Sequence, residues 1–268
     1  MPRVNRRAPV RLWLSLTMEN RPGQLALIVP CYNEAARLKV KEFRSFAEQY
    51  CGVHFLFVDD GSLDGTLEVL ESVRAGIEST VSVLPCAKNG GKAEAVRQGI
   101  LYAFDHFRTR MVGFWDADLA TPLDAVIPLA DILEKMPAIE MVFGSRVKLL
   151  GREVERRAIR HYPGRIFATV VSTLLRIGIY DSQCGAKIFR VEPHTRAIFA
   201  EPFLSKWVFD VEILARYMSL LKRTPAQVAA TIYEYPLEKW TDVAGSKLHP
   251  GDFFGAFVDV WRIYRKYL

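Results

Sequence analysis

The sequence predicts an α/β protein built on a mostly parallel central sheet with helices on both faces. Two observations predict it. Short apolar runs alternate with segments of helical periodicity from residue 25 to residue 143. Strands joined through helices pair in parallel, because the crossover returns the chain to the same end of the sheet. The composition agrees: of 268 residues half are hydrophobic and a quarter charged, which excludes a disordered chain and permits a large buried core.

The elements follow in order. Leu25-Ala26-Leu27-Ile28-Val29 is apolar and is stopped by Pro30, as suits a buried strand ending at a loop. Glu34 to Glu48 reads as a helix with Leu38, Phe43, Phe46 and Ala47 on its inner face. His54 to Val58 is a second strand, followed by an acidic Gly-Ser turn and a helix over Leu63 to Val73. Val81 to Leu84, Met111 to Trp115 and Ile139 to Phe143 are further strands. Between them lie helices over Lys92 to Phe107 and from Pro122 to Met136, the latter with Thr121 as its cap.

The second half is less regular. Gly144 to Arg165 is crowded with basic residues, and Ile166 to Ile177 is helical. Lys187 to Arg190 reads as strand, Phe209 to Leu221 as helix and Ala226 to Tyr233 as a late strand. The chain ends in an amphipathic helix, with Phe257, Val258, Trp261 and Tyr264 at helical spacing and Asp259, Arg262 and Lys266 opposite. The domain parse is a basic leader over 1–22, expected to be poorly ordered, then one domain over 23–268 ending in an amphipathic helix over 252–267.

Several classes are excluded. The four cysteines include no CxxC pair, so neither a disulfide framework nor a cysteine zinc site is expected. No Gly-x-Gly-x-x-Gly follows the first strand, and no Walker phosphate loop is present. No apolar run approaches the ~18–20 residues needed to cross a bilayer, and the leader lacks the long apolar core of a signal peptide. A cytoplasmic location is expected, with peripheral contact at the cytoplasmic face of an anionic membrane left open. The net charge of +6 suits phosphates, nucleic acid or such a membrane. With no nucleic-acid module present, nucleic acid is set aside. Nothing specifies an oligomeric state.

Chemistry concentrates in loops that follow strands. Asp116-Ala117-Asp118 places two carboxylates just after an apolar strand, at the sheet edge where open α/β sheets bind ligands. Both acids can approach one Mg2+ or Mn2+ there, or they can serve as solvated helix caps. Asp59-Asp60-Gly61-Ser62 can receive a nucleoside, or be an ordinary turn. Pro30-Cys31-Tyr32-Asn33-Glu34 and Lys88-Asn89-Gly90-Gly91-Lys92 hold corresponding positions, the second suiting a diphosphate. Four polar loops after successive strands converge on one edge, and together they make a nucleotide pocket.

These motifs resemble the family 2 inverting glycosyltransferases of GT-A fold, and among them the polyisoprenyl-phosphate sugar transferases. The resemblance spans about residues 24 to 250. It runs from Pro30–Glu34 through Val58–Asp64, Asn89–Ala93, Asp116–Pro122 and Gly144–Arg146 to Asp181–Lys187, Trp207–Glu212 and the Trp240 to Lys247 stretch. The dolichyl-phosphate glucosyltransferase branch is most similar over Asp181 to Lys187 and Phe209 to Glu212.

The resemblance implies a nucleotide-sugar site of Pro30, Tyr32, Asn33, Glu34, Asp59, Asp60, Lys92, Asp116, Ala117, Asp118 and Gln183. It implies a DXD metal site of Asp116 and Asp118, with Asp118 the more direct ligand of Mg2+ or Mn2+. Segment 145–250 then supplies the acceptor side. Arg146 stands as its early arginine, and Arg157 or Arg160 as its later one. The implied reaction moves glucose from UDP-glucose to a dolichyl- or undecaprenyl-like phosphate.

The basic cluster agrees with that reading, since arginine forks onto phosphate oxygens. A sugar hydroxyl needs a carboxylate base, whereas a phosphate is already anionic and needs cationic positioning. Asp210 or Glu212 can still act as such a base, or Asp210 can cap its helix. The alternatives are transfer to a soluble saccharide hydroxyl, and a non-catalytic nucleotide-sugar-binding protein.

Overall fold

The computed structural model describes residues 23–155, 158–243 and 250–268. The leader read over 1–22 lies outside the described residues. In chain order the first half comprises β1 (Leu25–Cys31), α1 (Val40–Gln49), β2 (Val53–Asp59), α2 (Thr66–Arg74), β3 (Val81–Pro85), α3 (Lys92–His106), β4 (Met111–Trp115), α4 (Val126–Lys135) and β5 (Met141–Ser145). The second comprises β6 (Glu153–Glu155), α5 (Ala158–Leu175), β7 (Ala186–Arg190), α6 (Thr195–Ala200), α7 (Phe209–Leu221), α8 (Pro225–Ala229), β8 (Ile232–Pro236), β9 (Lys239–Thr241) and α9 (Pro250–Tyr267).

Seven strands form one sheet in the order β3-β2-β1-β4-β7-β5-β8. All neighbours are parallel except β7, which runs antiparallel to both β4 and β5. Residues alternate between two cores. Leu25, Leu27 and Val29 of β1 pack with Phe43, Phe55 and Leu129 on one face. Ala26 and Ile28 pack with Val96, Ile100 and Phe209 on the other. Both faces being covered explains why these strands read as unbroken apolar runs. Gly113 lets β7 approach β4, since a methyl there would overlap the Lys187 carbonyl.

Some expected boundaries shift. The first helix begins at Val40 rather than Glu34. The Leu38 amide donates to the Glu34 carbonyl at 2.9 Å in a single turn that goes no further, since the Val40 amide turns back to the Leu38 carbonyl at 3.0 Å. The amides of Glu34 and Ala35 donate across to Thr66 Oγ1 at 2.7 and 3.1 Å, pinning the segment to α2. The second helix begins at Thr66 rather than Leu63, with Asp64 accepting from the Thr66 amide at 3.0 Å. Thr121 does not cap the fourth helix: its carbonyl accepts from Trp115 Nε1 at 2.9 Å, and a 3-10 turn over Leu123–Ala125 precedes α4.

Ala226 to Ala229 is helix, and the late strand begins only at Ile232. Thr224 and Gln227 form a reciprocal capping box around Pro225, a sequence signature that could have identified it. Among the described residues no helix is long and apolar enough to cross a membrane.

Glu212 ties the helices of one face together. It has no solvent exposure, accepts from the Leu204 amide at 2.7 Å, from Arg216 Nη2 at 2.7 Å and from the Tyr267 hydroxyl at 3.0 Å. Arg216 also donates to the carbonyls of Ile198, Glu201 and Pro202. Removing one partner of such a pair strands the other charge inside the protein. Glu212→Ala is expected to destabilise the fold by about 3–5 kcal/mol in urea unfolding. A midpoint equal to wild type would show that this pair holds nothing together.

Candidate active site

Four loops meet at the carboxyl edge of β1 to β4. After β1, Asn33 adopts a left-handed backbone (φ +53°), its amide donating to Ser62 Oγ at 3.0 Å and its Oδ1 accepting from the Leu63 amide at 2.9 Å. Asp59 Oδ1 accepts from the Ser62 amide at 3.1 Å. The Asp60 amide donates to the Cys31 carbonyl at 2.8 Å, while its carboxylate accepts from the amides of Gly90 and Gly91 at 2.7 and 2.8 Å. Burial raises the pKa of Asp60 against the lowering effect of those two amides. Gly61 permits the crossing, since a methyl there would come within 2.6 Å of Asn89 N.

Asp60 is therefore a clamp between loops as well as a candidate nucleoside contact. It also engages the two glycine amides that suited a diphosphate in the sequence.

Gly91 (φ +89°) leads directly into α3, whose first residue, Lys92, pairs with Asp116. Burial pulls the Lys92 ammonium down, yet the charges of Asp116, Asp210 and Asp118 hold it above an ordinary lysine. The Asp116 amide donates to the Gly185 carbonyl at 3.1 Å, and a methyl on Gly185 would overlap the Asp116 carboxylate. Asp118 accepts from the Ala120 amide at 2.9 Å, in a turn closed by left-handed Leu119 (φ +52°). Ala117 between them is buried, so it offers only backbone to a ligand.

The two carboxylates fit a hard divalent cation. Both present oxygen, and burial together with the neighbouring Asp116 charge raises the pKa of Asp118, a repulsion that a dication removes. Among the described residues no third His, Cys, Asp or Glu joins them. Nearby, Glu34 forms a bidentate pair with Arg37, whose charge Asp118 also senses. Pro30, Tyr32 and Gln183 are half-buried at the same edge.

The acceptor-side residues are held differently from expectation. Arg146, just after β5, donates to Asp181 through its amide, Nε and Nη2 at 3.1, 2.6 and 2.7 Å, and lies over the Trp240 ring. Glu234 on β8 accepts from the amides of Tyr180 and Asp181, both at 2.8 Å. Asp210 does not cap α7; its carboxylate accepts from Lys187 Nζ at 2.6 Å. Glu212, the other candidate base, is the structural tie already described. Arg157 lies outside the described residues, and Arg160 is placed on α5 with nothing of its side chain described.

Sequence reasoning missed the pairs Arg146–Asp181 and Lys187–Asp210. A signal for the second was present: Lys187 interrupts an otherwise apolar strand, where a charge requires a partner. Burial pushes the Cys184 thiol up to about 11 and the Cys31 thiol well above its ordinary value, which suits packing rather than nucleophilic roles.

A model of Glycosyl transferase family 2 matches residues 26–196. Dolichyl-phosphate beta-glucosyltransferase of Dictyostelium discoideum is 32% identical over 262 residues, covering 91% of this chain and 75% of its own. The human protein of that name is 32% identical over 245 residues, covering 85% and 70%. Among solved structures, glucosyl-3-phosphoglycerate synthase from Mycobacterium tuberculosis, with Mn2+, UDP and glucosyl-3-phosphoglycerate, superposes with a TM-score of 0.63 at 17% identity. It covers 91% of this chain and 80% of its own. At that identity the likeness establishes a shared fold.

Gly185 offers a test of the cation site. Gly185→Ala is expected to displace the Asp116 carboxylate and weaken Mn2+ binding by roughly 10-fold or more, as perturbing a ligand's support does. Mn2+ titration followed by electron paramagnetic resonance reads this directly, with circular dichroism reporting an unchanged fold. Equal Mn2+ affinity in a folded variant would remove Asp116 from the site.

Proposed function

The chain belongs to glycosyl transferase family 2 and is a glycosyltransferase of GT-A fold, and from that premise we propose that it transfers glucose from UDP-glucose, with inversion, to a polyisoprenyl phosphate. The supporting relatives carry the name dolichyl-phosphate beta-glucosyltransferase. The observation that carries the choice of acceptor is that four acidic side chains of the acceptor side, both candidate bases among them, are already engaged. Asp181 holds Arg146, Asp210 holds Lys187, Glu212 holds Arg216, and Glu234 holds two backbone amides.

A hydroxyl acceptor must surrender a proton to a base during attack. If Asp210 took that proton, the fully buried Lys187 ammonium would lose its counter-charge, at a large cost inside the sheet. A phosphate monoester arrives anionic and asks for no such transfer. Asp210 acts in this reading as a positioning carboxylate beside Lys92.

On the donor side, Tyr32, Asn33, Glu34 and Asp59 receive the nucleoside, while Asp60 holds their loops in register. Asp116 and Asp118 would hold Mg2+ or Mn2+, which when bound offsets charge on the departing diphosphate. Lys92 pairs with Asp116 and holds it in place, and is a cation the protein itself contributes to that loop. Inversion follows when the acceptor oxygen attacks from the face opposite the diphosphate, giving a β-linked product from an α-linked donor.

Direct product detection tests this with purified protein, Mn2+, a polyisoprenyl phosphate, and UDP-glucose, GDP-mannose or UDP-N-acetylglucosamine. A glucosylated lipid phosphate should form preferentially from UDP-glucose, disappear with a chelator, and be lost with Asp118→Ala and with Arg146→Ala. The rate should also rise through the second ionisation of the acceptor phosphate, at about pH 6. Consumption of UDP-glucose only when a soluble hydroxyl acceptor is supplied would replace the lipid reading with that of a saccharide transferase.

A further inference from the structure

The cations flanking the candidate site are almost all committed. Arg37 pairs with Glu34, Lys92 with Asp116, Arg146 with Asp181 and Lys187 with Asp210. Lys206 is exposed and among the described residues no carboxylate pairs with it, as is also true of Lys88 and Lys148, but of the three it is Lys206 whose stem is set against Gly91. A methyl built on Gly91 would meet Lys206 Cδ at 3.3 Å and Cγ at 3.7 Å, so the lysine stem lies along the glycine that precedes Lys92.

The backbone beneath it is fixed. Ser205, itself buried, accepts through Oγ from the amides of Trp207 and Val208 at 3.2 and 3.1 Å. The Leu204 amide is held by Glu212 at 2.7 Å. Such bracing fixes the backbone from which the lysine stem reaches the loop, so binding has only the side chain left to order. Trp207, beside it, is 45% exposed, a large apolar surface where the loop meets solvent.

The geometry points to Lys206 as the cation that receives the acceptor's phosphate, with Trp207 offering apolar surface to the first isoprenoid unit of the chain. Resting on the phosphate-acceptor reading, it names the residues that select that acceptor. In the proposed reading the donor diphosphate is met across the loop by Lys92 and by the cation that Asp116 and Asp118 would hold. Lys206 instead comes from the segment leading into α7 and Asp210, on the acceptor side.

The test measures KM and kcat separately for farnesyl phosphate and UDP-glucose in Lys206→Gln, Lys206→Arg and Trp207→Ala. Lys206→Gln should raise KM for farnesyl phosphate by roughly 10-fold or more, the loss of one charge-assisted contact, with KM for UDP-glucose unchanged. Lys206→Arg should recover most of it. Trp207→Ala should raise KM for farnesyl phosphate while leaving inhibition by inorganic phosphate as in wild type.

An unchanged acceptor KM in Lys206→Gln, or a shift in KM for UDP-glucose alone, overturns the assignment while leaving lipid transfer intact. If wild type glucosylates 3-phosphoglycerate and never farnesyl phosphate, the lipid reading fails and Trp207 loses its role. Lys206 is then decided on the phosphoglycerate KM: a rise in Lys206→Gln supports it as the phosphate cation, and a flat value overturns it.

Discussion

An ammonium group with no solvent exposure lies inside the sheet, and the arrangement of the acceptor side depends on how it is held. Lys187 projects from β7 and donates to the Asp210 carboxylate at 2.6 Å and to the Cys184 carbonyl at 2.5 Å. The rings of Phe114 and Phe143 lie 5.4 and 5.1 Å from its nitrogen. A charge there is tolerable only when paired and hydrogen-bonded. Those two bonds fix the turn before β7 and the first turn of α7 at once. From the turn come Asp181, which orients Arg146, and Gly185, which gives Asp116 its place.

The donor side is organised by carboxylates that hold backbone. Asp60 joins the loops after β2 and β3, Asp59 closes its own turn, and Asp64 and Thr66 anchor the segment after β1. Left-handed residues at 33, 61, 91 and 119 mark the sharp bends this requires. All four sit at or beside a candidate site residue, so the bends bring side chains from separate strands to one edge. Precision comes from hydrogen bonds to the main chain in series.

The strands and the four loops were legible in the sequence because both signals are local. Apolar runs buried on two faces look the same whatever lies beside them, and a parallel sheet sends every following loop to one end. Met111–Trp115 and Phe209–Leu221 match their expected bounds for that reason. The partners of Arg146, Lys187 and Glu212 were not legible: Asp181 is 35 residues from Arg146 and Asp210 is 23 from Lys187. The antiparallel course of β7 escaped for the same reason, since nothing in Ala186–Arg190 encodes the direction of its neighbours. Charge-rich sequence invited an expectation of free cations, and the fold engages most of them with carboxylates instead.

Gly185 carries a consequence for how this chain can vary. The space that any other residue would fill with its β-carbon is occupied by the Asp116 carboxylate. The two positions are therefore one unit of volume shared between strands far apart in sequence. A descendant that keeps an acid at 116 keeps it undisplaced only with glycine at 185, while a descendant that shortens residue 116 frees 185 to drift. The dependence runs in one direction only. Substitution at 185 is expected to go with a side chain at 116 that is shorter or turned aside.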